Sequence, residues 1–200
     1  NLKPLENLMS GTSSDTDFCF LSSGVNILCL DISKISLDLR FMASGPKGGI
    51  GEISFKELQP GSSIMPGKVN PIVAETMNQT YYLVSGKNLS IHQAAEASQL
   101  ELGVMLPIIA DSLITILKLV DTALVLFADR GIKNIVVNRE RCLEHLEKST
   151  AYSTLLTPRL GYDAVSKVVK ESVATGKTIR EIILEKKLLE ENEFDNIINS

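Results

Sequence analysis

The chain has 200 residues, enough for one hydrophobic core or for a core with a small second domain. Its net charge of −4, without any basic run, excludes a general attraction to nucleic acid or to anionic membranes. Aromatic residues make up only 5%, so aliphatic side chains must supply the packing, which favours layers of helices over an aromatic-rich β-sandwich.

Both the start of the chain and its cysteines limit the interpretation. The first residues, NLKPLENLMS, begin without methionine or a signal segment and are typical of a helix already under way. We therefore expect a fragment of a longer protein. The three cysteines contain no CxxC pair and are odd in number, which argues against a zinc site or disulfides and for small buried side chains in the reducing cytoplasm.

A first long helix is predicted within residues 18–43, where apolar residues alternate steps of four and three. Such a helix would be about 39 Å long, and the turn signal Gly45-Pro46 ends it. The predicted inner stripe is Leu21, Val25, Leu28, Ile32, Ile35, Leu39 and Met42.

Two further helices follow. One is predicted to begin with Asn70 as N-cap and Pro71 at its first position. Its inner face would be Val73, Met77, Thr80 and Val84. The other would bury Leu106, Ile109, Leu113, Ile116, Val120, Ala123 and Phe127. Asp111, Lys118 and Asp121 within this last stretch indicate a bundle helix instead of a membrane span.

Three helices of near-3.5 periodicity predict an all-α, long-helix bundle. A second apolar face needs neighbours on a second side and predicts subunit association, with a compact monomeric bundle as the alternative. That face is Leu30, Leu37, Ile114, Leu117 and Leu124. The composition shifts after Val137, so we expect a bundle portion over residues 1–137 and a small helical C-terminal domain over residues 138–200. Within the C-terminal domain, the sequence predicts a helix that ends at Gly176 and a capping box from Thr178 to Glu181.

Phosphate-loop and metal-site interpretations are weak. Residues 61–68 have five residues between their glycines where a P-loop has four, and Val69 replaces the magnesium-binding hydroxyl. Neither His92 nor His145 lies at helical spacing from another ligand, so no metal site is predicted, and whether His92 lines a site stays open.

The loop from Gly61 to Pro71 carries the chemistry. Within a few residues it presents two hydroxyls, a cation and an amide, and it leads into a helix N-terminus, where free N–H groups favour an anion. The four side chains are Ser62, Ser63, Lys68 and Asn70. This set suits a carboxylate substrate and a reaction that develops negative charge, although a polar loop with a good cap would also account for Asn70.

The sequence GSSIMPGKVNPIVAE, residues 61–75, resembles the signature GSSxMPxKxNPxxxE of the fumarase/aspartase superfamily. The resemblance extends to both sides, with SGP and GEI before the loop and TGKTIREIILEKKLL near the end of the chain. Asn78-Gln79 and AAEASQLELGVMLP, residues 94–107, are more similar to aspartate ammonia-lyases than to fumarases, which have a GASGNFELN-type sequence there. Proteins of this family are more than twice as long, so the chain resembles their C-terminal part.

The resemblance implies an all-α homotetramer that shares its active sites between subunits and converts L-aspartate to fumarate and ammonia without a metal or other cofactor. It implies that Ser62 is the general base, removing a proton beside the β-carboxylate to give an aci-carboxylate. Ser63, Lys68 and Asn70 would bind substrate carboxylate, Glu75 would pair with a histidine of another subunit, and Met65 would support the loop.

Some features depart from the family pattern. Gly103 and Leu106 stand where Asn and Glu are usual, and Lys47 replaces an arginine. The family's threonine–histidine segment lies upstream of Asn1, and neither histidine of this chain matches it, so we expect the 200 residues alone to be inactive. Fumarate hydratase, and a non-catalytic helical oligomerisation module, remain the alternatives.

Overall fold

The computed structural model describes residues 3–45 and 47–198, and the chain divides into two compact units, Asn1–Val137 and Asn138–Ser200. The described residues are mainly helical, as an all-α fold requires. The first unit contains α1 (Leu8–Thr12), α2 (Thr16–Met42), β1 (Ile53–Ser54), α3 (Ile72–Glu96), α4 (Leu106–Leu126), a π-helical turn (Phe127–Gly131), a 3₁₀ turn (Ile132–Asn134) and β2 (Val136–Val137).

The three long helices pack in antiparallel order. Ser23 near the start of α2 contacts His92 near the end of α3, whereas Arg40 at the end of α2 contacts Asn78 near the start of α3. Lys87 of α3 likewise contacts Asp111 of α4. β1 and β2 pair antiparallel, with Ile53 opposite Val137, so the chain entering the signature loop is tied to the chain leaving α4.

The predicted inner faces of α3 and α4 are largely confirmed. Val73, Met77, Thr80 and Val84 of α3 are buried. On α4 every member of the predicted stripe from Ile109 to Ala123 is buried, and the stripe ends at buried Phe127. Leu106, the first residue of α4, is exposed, so the stripe begins one turn later than predicted.

The predicted inner stripe of α2 is wrong. The helix buries Ser22, Cys29, Ser33 and Ser36, a row of small residues separated by steps of seven, four and three. Leu21, Leu28 and Ile35 of the predicted stripe are exposed, and Val25, Ile32 and Leu39 only pack at the margin of the core. Small side chains let α2 approach α3 closely, so the large apolar side chains point away from this chain's own core.

Four of the five residues of the predicted second apolar face are exposed, whereas Leu124 is half-buried and packs against the core. Leu30 and Leu37 of α2, and Ile114 and Leu117 of α4, are each more than 40% exposed. Within the described residues, α2 is the single helix long and apolar enough to cross a membrane by length and composition, and only 17% of that apolar window is buried in this structure.

The second unit is a separate helical fold with its own core. Its elements are α5 (Arg139–Lys148), α6 (Ser153–Leu160), α7 (Tyr162–Thr175), α8 (Ile179–Glu185) and α9 (Glu191–Ile198). The core side chains include Leu156, Val168, Ile182, Ile183 and Phe194. The predicted helix end at Gly176 is confirmed, with this glycine left-handed at φ 74°, and the predicted capping box of Thr178 and Glu181 is present in full.

Candidate active site

The signature loop closes on itself at a narrow neck. The Asn70 side-chain amide donates a hydrogen bond to the carbonyl oxygen of Gly61 at 2.9 Å. A β-carbon added to Gly61 would lie 2.0 Å from the carbonyl oxygen of Lys68, so only glycine fits where the two ends of the loop meet. Gly67 is left-handed at φ 77°, a conformation that glycine adopts at no steric cost. The glycines and the asparagine of the signature thus fix the loop's shape.

Ser62 lies inside this loop, half-buried, with its hydroxyl oxygen facing backbone N–H groups. The Met65 N–H donates to Ser62 Oγ at 3.1 Å, and the Ile64 N–H donates to the same atom at 3.2 Å. Two N–H dipoles aimed at one oxygen stabilise negative charge on it. The loop therefore provides the kind of environment that a serine alkoxide needs.

The neighbouring side chains differ in their exposure. Ser63 and Lys68 are exposed, and among the described residues no carboxylate pairs with the Lys68 ammonium. Met65 is 48% exposed and takes part through its backbone, donating to Ser62 and accepting from the Lys68 N–H at 3.3 Å. The loop thus presents an open cation within a few residues of the Ser62 hydroxyl.

The predicted N-cap of α3 is wrong. The helix begins at Ile72 with Pro71 in the cap position, and no side chain caps it. Asn70 instead turns its side chain back to Gly61, while its carbonyl oxygen accepts from the Ile72 N–H at 2.9 Å. Closing the loop competes with capping for the one amide, and the structure uses it for the loop.

Glu75, in the first turn of α3, lies beside a residue that sequence reasoning missed. Arg40, at the end of α2, places its Nη2 atom 3.9 Å from Glu75 Oε1 and donates from Nη1 to Asn78 Oδ1 at 2.8 Å. Arg40 follows Ser33 and Ser36 in steps of three and four and therefore lies on the same buried face of α2. The spacing of these polar residues is the sequence signal that could have identified Arg40.

The remaining predicted positions lie away from the loop. His92 is 17 residues beyond Glu75 on the same helix, a separation of roughly 26 Å, and its Nε2 lies 2.9 Å from Ser23 Oγ. Gly103 and Leu106 lie past the far end of α3 and contact each other, since a β-carbon at Gly103 would lie 2.9 Å from Leu106 Cδ1. The two departures from the family pattern therefore lie next to each other and remote from this chain's loop.

The part of the chain that the structure describes contains no set of side chains arranged to bind a metal ion. No group of three or more His, Cys, Asp or Glu side chains is arranged there to hold an ion. Within residues 61–70, the polar side chains carry hydroxyl, ammonium and amide groups, which can donate hydrogen bonds to an anion.

Comparison with known proteins assigns both ends of the chain to related families. A protein-family model described as "Lyase" matches residues 2–86, and one described as "Fumarase C C-terminus" matches residues 153–200. The aspartate ammonia-lyases of Bacillus subtilis and Pseudomonas aeruginosa are each 39% identical to the chain, over 97% and 98% of its length. The chain spans about two-fifths of these relatives, 41% and 42% of their lengths.

Solved structures agree with this relation. A fumarate lyase:delta crystallin from Brucella melitensis bound to cobalt superposes with a TM-score of 0.93 at 35% identity, covering 99% of this chain and 43% of that one. A class II fumarase from Schistosoma mansoni superposes with a TM-score of 0.87 at 34% identity, covering 98% and 41%.

Proposed function

Since the chain belongs to the fumarase/aspartase superfamily of lyases and is similar to the C-terminal part of its members, we propose that residues 61–75 form part of an active site that eliminates ammonia from L-aspartate to give fumarate. The observation that supports this most is the Ser62 hydroxyl oxygen, held by two backbone N–H groups in a loop of the signature sequence. The similarity to aspartate ammonia-lyases along nearly the whole chain supports the choice of substrate.

Ser62 acts as the general base in this proposal. As an alkoxide it takes a proton from the carbon beside the substrate's β-carboxylate, and the C–H electron pair moves into that carboxylate to give an aci-carboxylate dianion. The electrons then return to form the carbon–carbon double bond while the carbon–nitrogen bond breaks and ammonia leaves. The N–H groups of Ile64 and Met65 stabilise the alkoxide, because they already point at Oγ before reaction.

Lys68, Ser63 and Asn70 bind the substrate's carboxylate in this proposal. Lys68 is exposed at the loop and pairs with no carboxylate among the described residues, so its charge is available to offset the second negative charge of the intermediate. Asn70 would donate to that carboxylate from its side-chain NH2 group, which has a second N–H beside the one that it donates to Gly61. Removing one preorganised donor of this kind typically slows a reaction by about 10²–10³-fold.

Other subunits complete the site in this proposal, as part of a cytoplasmic homotetramer. The exposed apolar residues of α2 and α4 offer the surface for association, and their burial between helices is favourable at about 25 cal/mol per Å². Glu75 stands beside the loop, where a histidine from another subunit would meet it. Light scattering on the purified chain in detergent-free buffer should then report an assembly larger than a monomer, and Leu28→Glu with Ile35→Glu should dissociate it.

The substrate is tested by fragment complementation. The full 200-residue chain is co-expressed with the upstream three-fifths of the Bacillus subtilis aspartate ammonia-lyase, and fumarate is measured by ultraviolet absorbance with aspartate or malate as substrate. We expect turnover of aspartate and no comparable turnover of malate, and none of either by the chain alone. Faster turnover of malate would identify a fumarase instead.

A non-catalytic oligomerisation module is the alternative of a different class, and the exposed apolar face of α2 is the observation that favours it. It predicts assembly in solution but no turnover in the complementation assay with either substrate. The matched control is the B. subtilis enzyme split at the same position, which must recover activity for the comparison to count against the chain.

A further inference from the structure

Arg40 links the end of α2 to the first two turns of α3 at the base of the signature loop. Its Nη1 atom donates to Asn78 Oδ1 at 2.8 Å, and its Nη2 atom lies 3.9 Å from Glu75 Oε1. Glu75 and Asn78 are three residues apart on one helix and therefore share a face. The planar guanidinium of Arg40 therefore lies between the amide of Asn78 and the charged carboxylate of Glu75.

Asn78 is a rigid anchor for this arginine. It is 2% exposed, and its side-chain nitrogen donates to Ser33 Oγ at 2.8 Å and to the Ser33 carbonyl oxygen at 2.9 Å. With the nitrogen occupied by Ser33 of α2, the side-chain oxygen is left to accept from Arg40. A buried amide whose donor and acceptor groups are both satisfied holds a single orientation.

We propose that Arg40 is a positioning residue for Glu75: oriented by Asn78, its guanidinium holds the Glu75 carboxylate in place in the first turn of α3. The proposal rests on the proposed function, in which Glu75 meets a histidine of another subunit. A carboxylate that orients a histidine must itself be oriented, because small displacements of a reacting group are costly in rate.

A simpler role for Arg40, a clamp that only fastens α2 to α3, would leave Glu75 unaffected. The two roles separate in a measurement made on the purified 200-residue chain without any activity. In chain labelled with ¹³C at the glutamate side-chain carboxyl, we expect Arg40→Gln to shift the Glu75 carboxylate resonance and to broaden it. Lys87→Gln is the control, because it removes a surface ion pair that α3 makes with Asp111 of α4 at 3.2 Å, 12 residues beyond Glu75 along α3, and it should leave that resonance unchanged. An unchanged Glu75 resonance in Arg40→Gln would overturn the proposal.

Kinetics in the complemented assembly give the second readout. Arg40→Gln should lower kcat by about 10- to 100-fold with KM unchanged, since Arg40 does not contact substrate. Asn78→Ser should show a smaller loss of the same kind, because it keeps the charge of Arg40 but removes its anchor. If circular dichroism shows that Arg40→Gln does not fold, both the Glu75 resonance and kcat are measured on Asn78→Ser instead. A rise in KM with unchanged kcat would contradict the positioning role.

The two proposals fail in different ways. If the wild-type assembly turns over neither substrate while the Glu75 resonance responds to Arg40→Gln, the positioning of Glu75 stands and the lyase proposal falls. If the assembly is active and Arg40→Gln changes neither the resonance nor kcat, the lyase proposal stands and Arg40 is only a clamp.

Discussion

The second unit and helix α2 of the first unit bury their side chains in opposite ways. In the second unit, short helices bury Leu156, Ile182 and Ile183 completely. In the first unit, α2 buries small polar residues such as Ser22 and Ser36 completely and leaves Leu28 exposed. Apolar residues at similar spacing therefore face a local core in the second unit and open surface on α2.

This difference indicates how each unit reaches stability. The second unit caps two of its helix ends locally, with a left-handed glycine at Gly176 and a full capping box at Thr178. In the first unit, hydrogen bonds between small and polar side chains join α2 to α3, and large apolar side chains of α2 are exposed.

The largest expected effect is a loss of stability in the second unit, and it tests how far the core of that unit stabilises it. Leu156→Ala should destabilise the second unit by about 2–5 kcal/mol, because it opens a cavity at a fully buried site. The measurement is hydrogen exchange of the whole chain by mass spectrometry, which reports peptides of each unit separately. Val173→Ala in the same unit is the matched control, because this side chain is 75% exposed, and its effect on local stability should stay within about 0.5 kcal/mol.

The next effect tests the polar interior of the first unit. Asn78→Ala should destabilise α2 and α3 by about 1–3 kcal/mol, because Ser33 and Arg40 lose a buried partner. The same exchange experiment follows peptides of residues 16–42 and 72–96. If hydrogen-exchange protection of these peptides is unchanged, then the apolar side chains at the margin of the core, and not the buried polar side chains, hold α2 in place.

A smaller effect concerns the local caps of the second unit. Thr178→Ala removes the hydroxyl that accepts from the Glu181 N–H and should cost about 1 kcal/mol. Urea titration followed by circular dichroism of the whole chain measures it, with Thr175→Ala on the preceding helix as the control. A loss as large in Thr175→Ala would mean that the capping box has no special role.

The smallest effect is electrostatic. Glu144 of α5 lies 2.6 Å from Lys148 and 2.7 Å from Arg141, and hydrogen bonds to these cations lower the pKa of Glu144 from 4.5 to about 2. Since the pKa is lowered in the folded chain, the contribution of Glu144 to stability is present above pH 4.5 and is lost as the pH falls towards 2. Carboxyl ¹³C NMR should show this titration, and Lys148→Gln should raise the midpoint.

Local signals predicted much of the fold. The three long helices, the inner faces of α3 and α4, and the helix end at Gly176 all follow from periodicity and turn chemistry. The buried side of α2 did not, because the hydrophobic pattern assumes that the large apolar face is the one that the chain buries. That assumption fails where a second molecule is expected to cover the face.

The candidate site was predicted in part for a similar reason. The functional side chains of the loop could be predicted from the sequence of residues 61–75. The N–H groups that face Ser62 and the turn of Asn70 towards Gly61 could not, because they depend on the backbone conformation of the loop. Arg40 was missed because it lies 35 residues from Glu75 in sequence, and only the packing of α2 on α3 brings the two together.

The role of Ser62 is tested most directly by Ser62→Ala in the complemented assembly. Fumarate formation from aspartate should fall by about 10²–10⁴-fold, the usual contribution of a general base, while light scattering shows the same assembly. Ser90→Ala, a serine of α3 that bonds only within its own helix, should keep full activity. Undiminished turnover in Ser62→Ala would show that another group removes the proton.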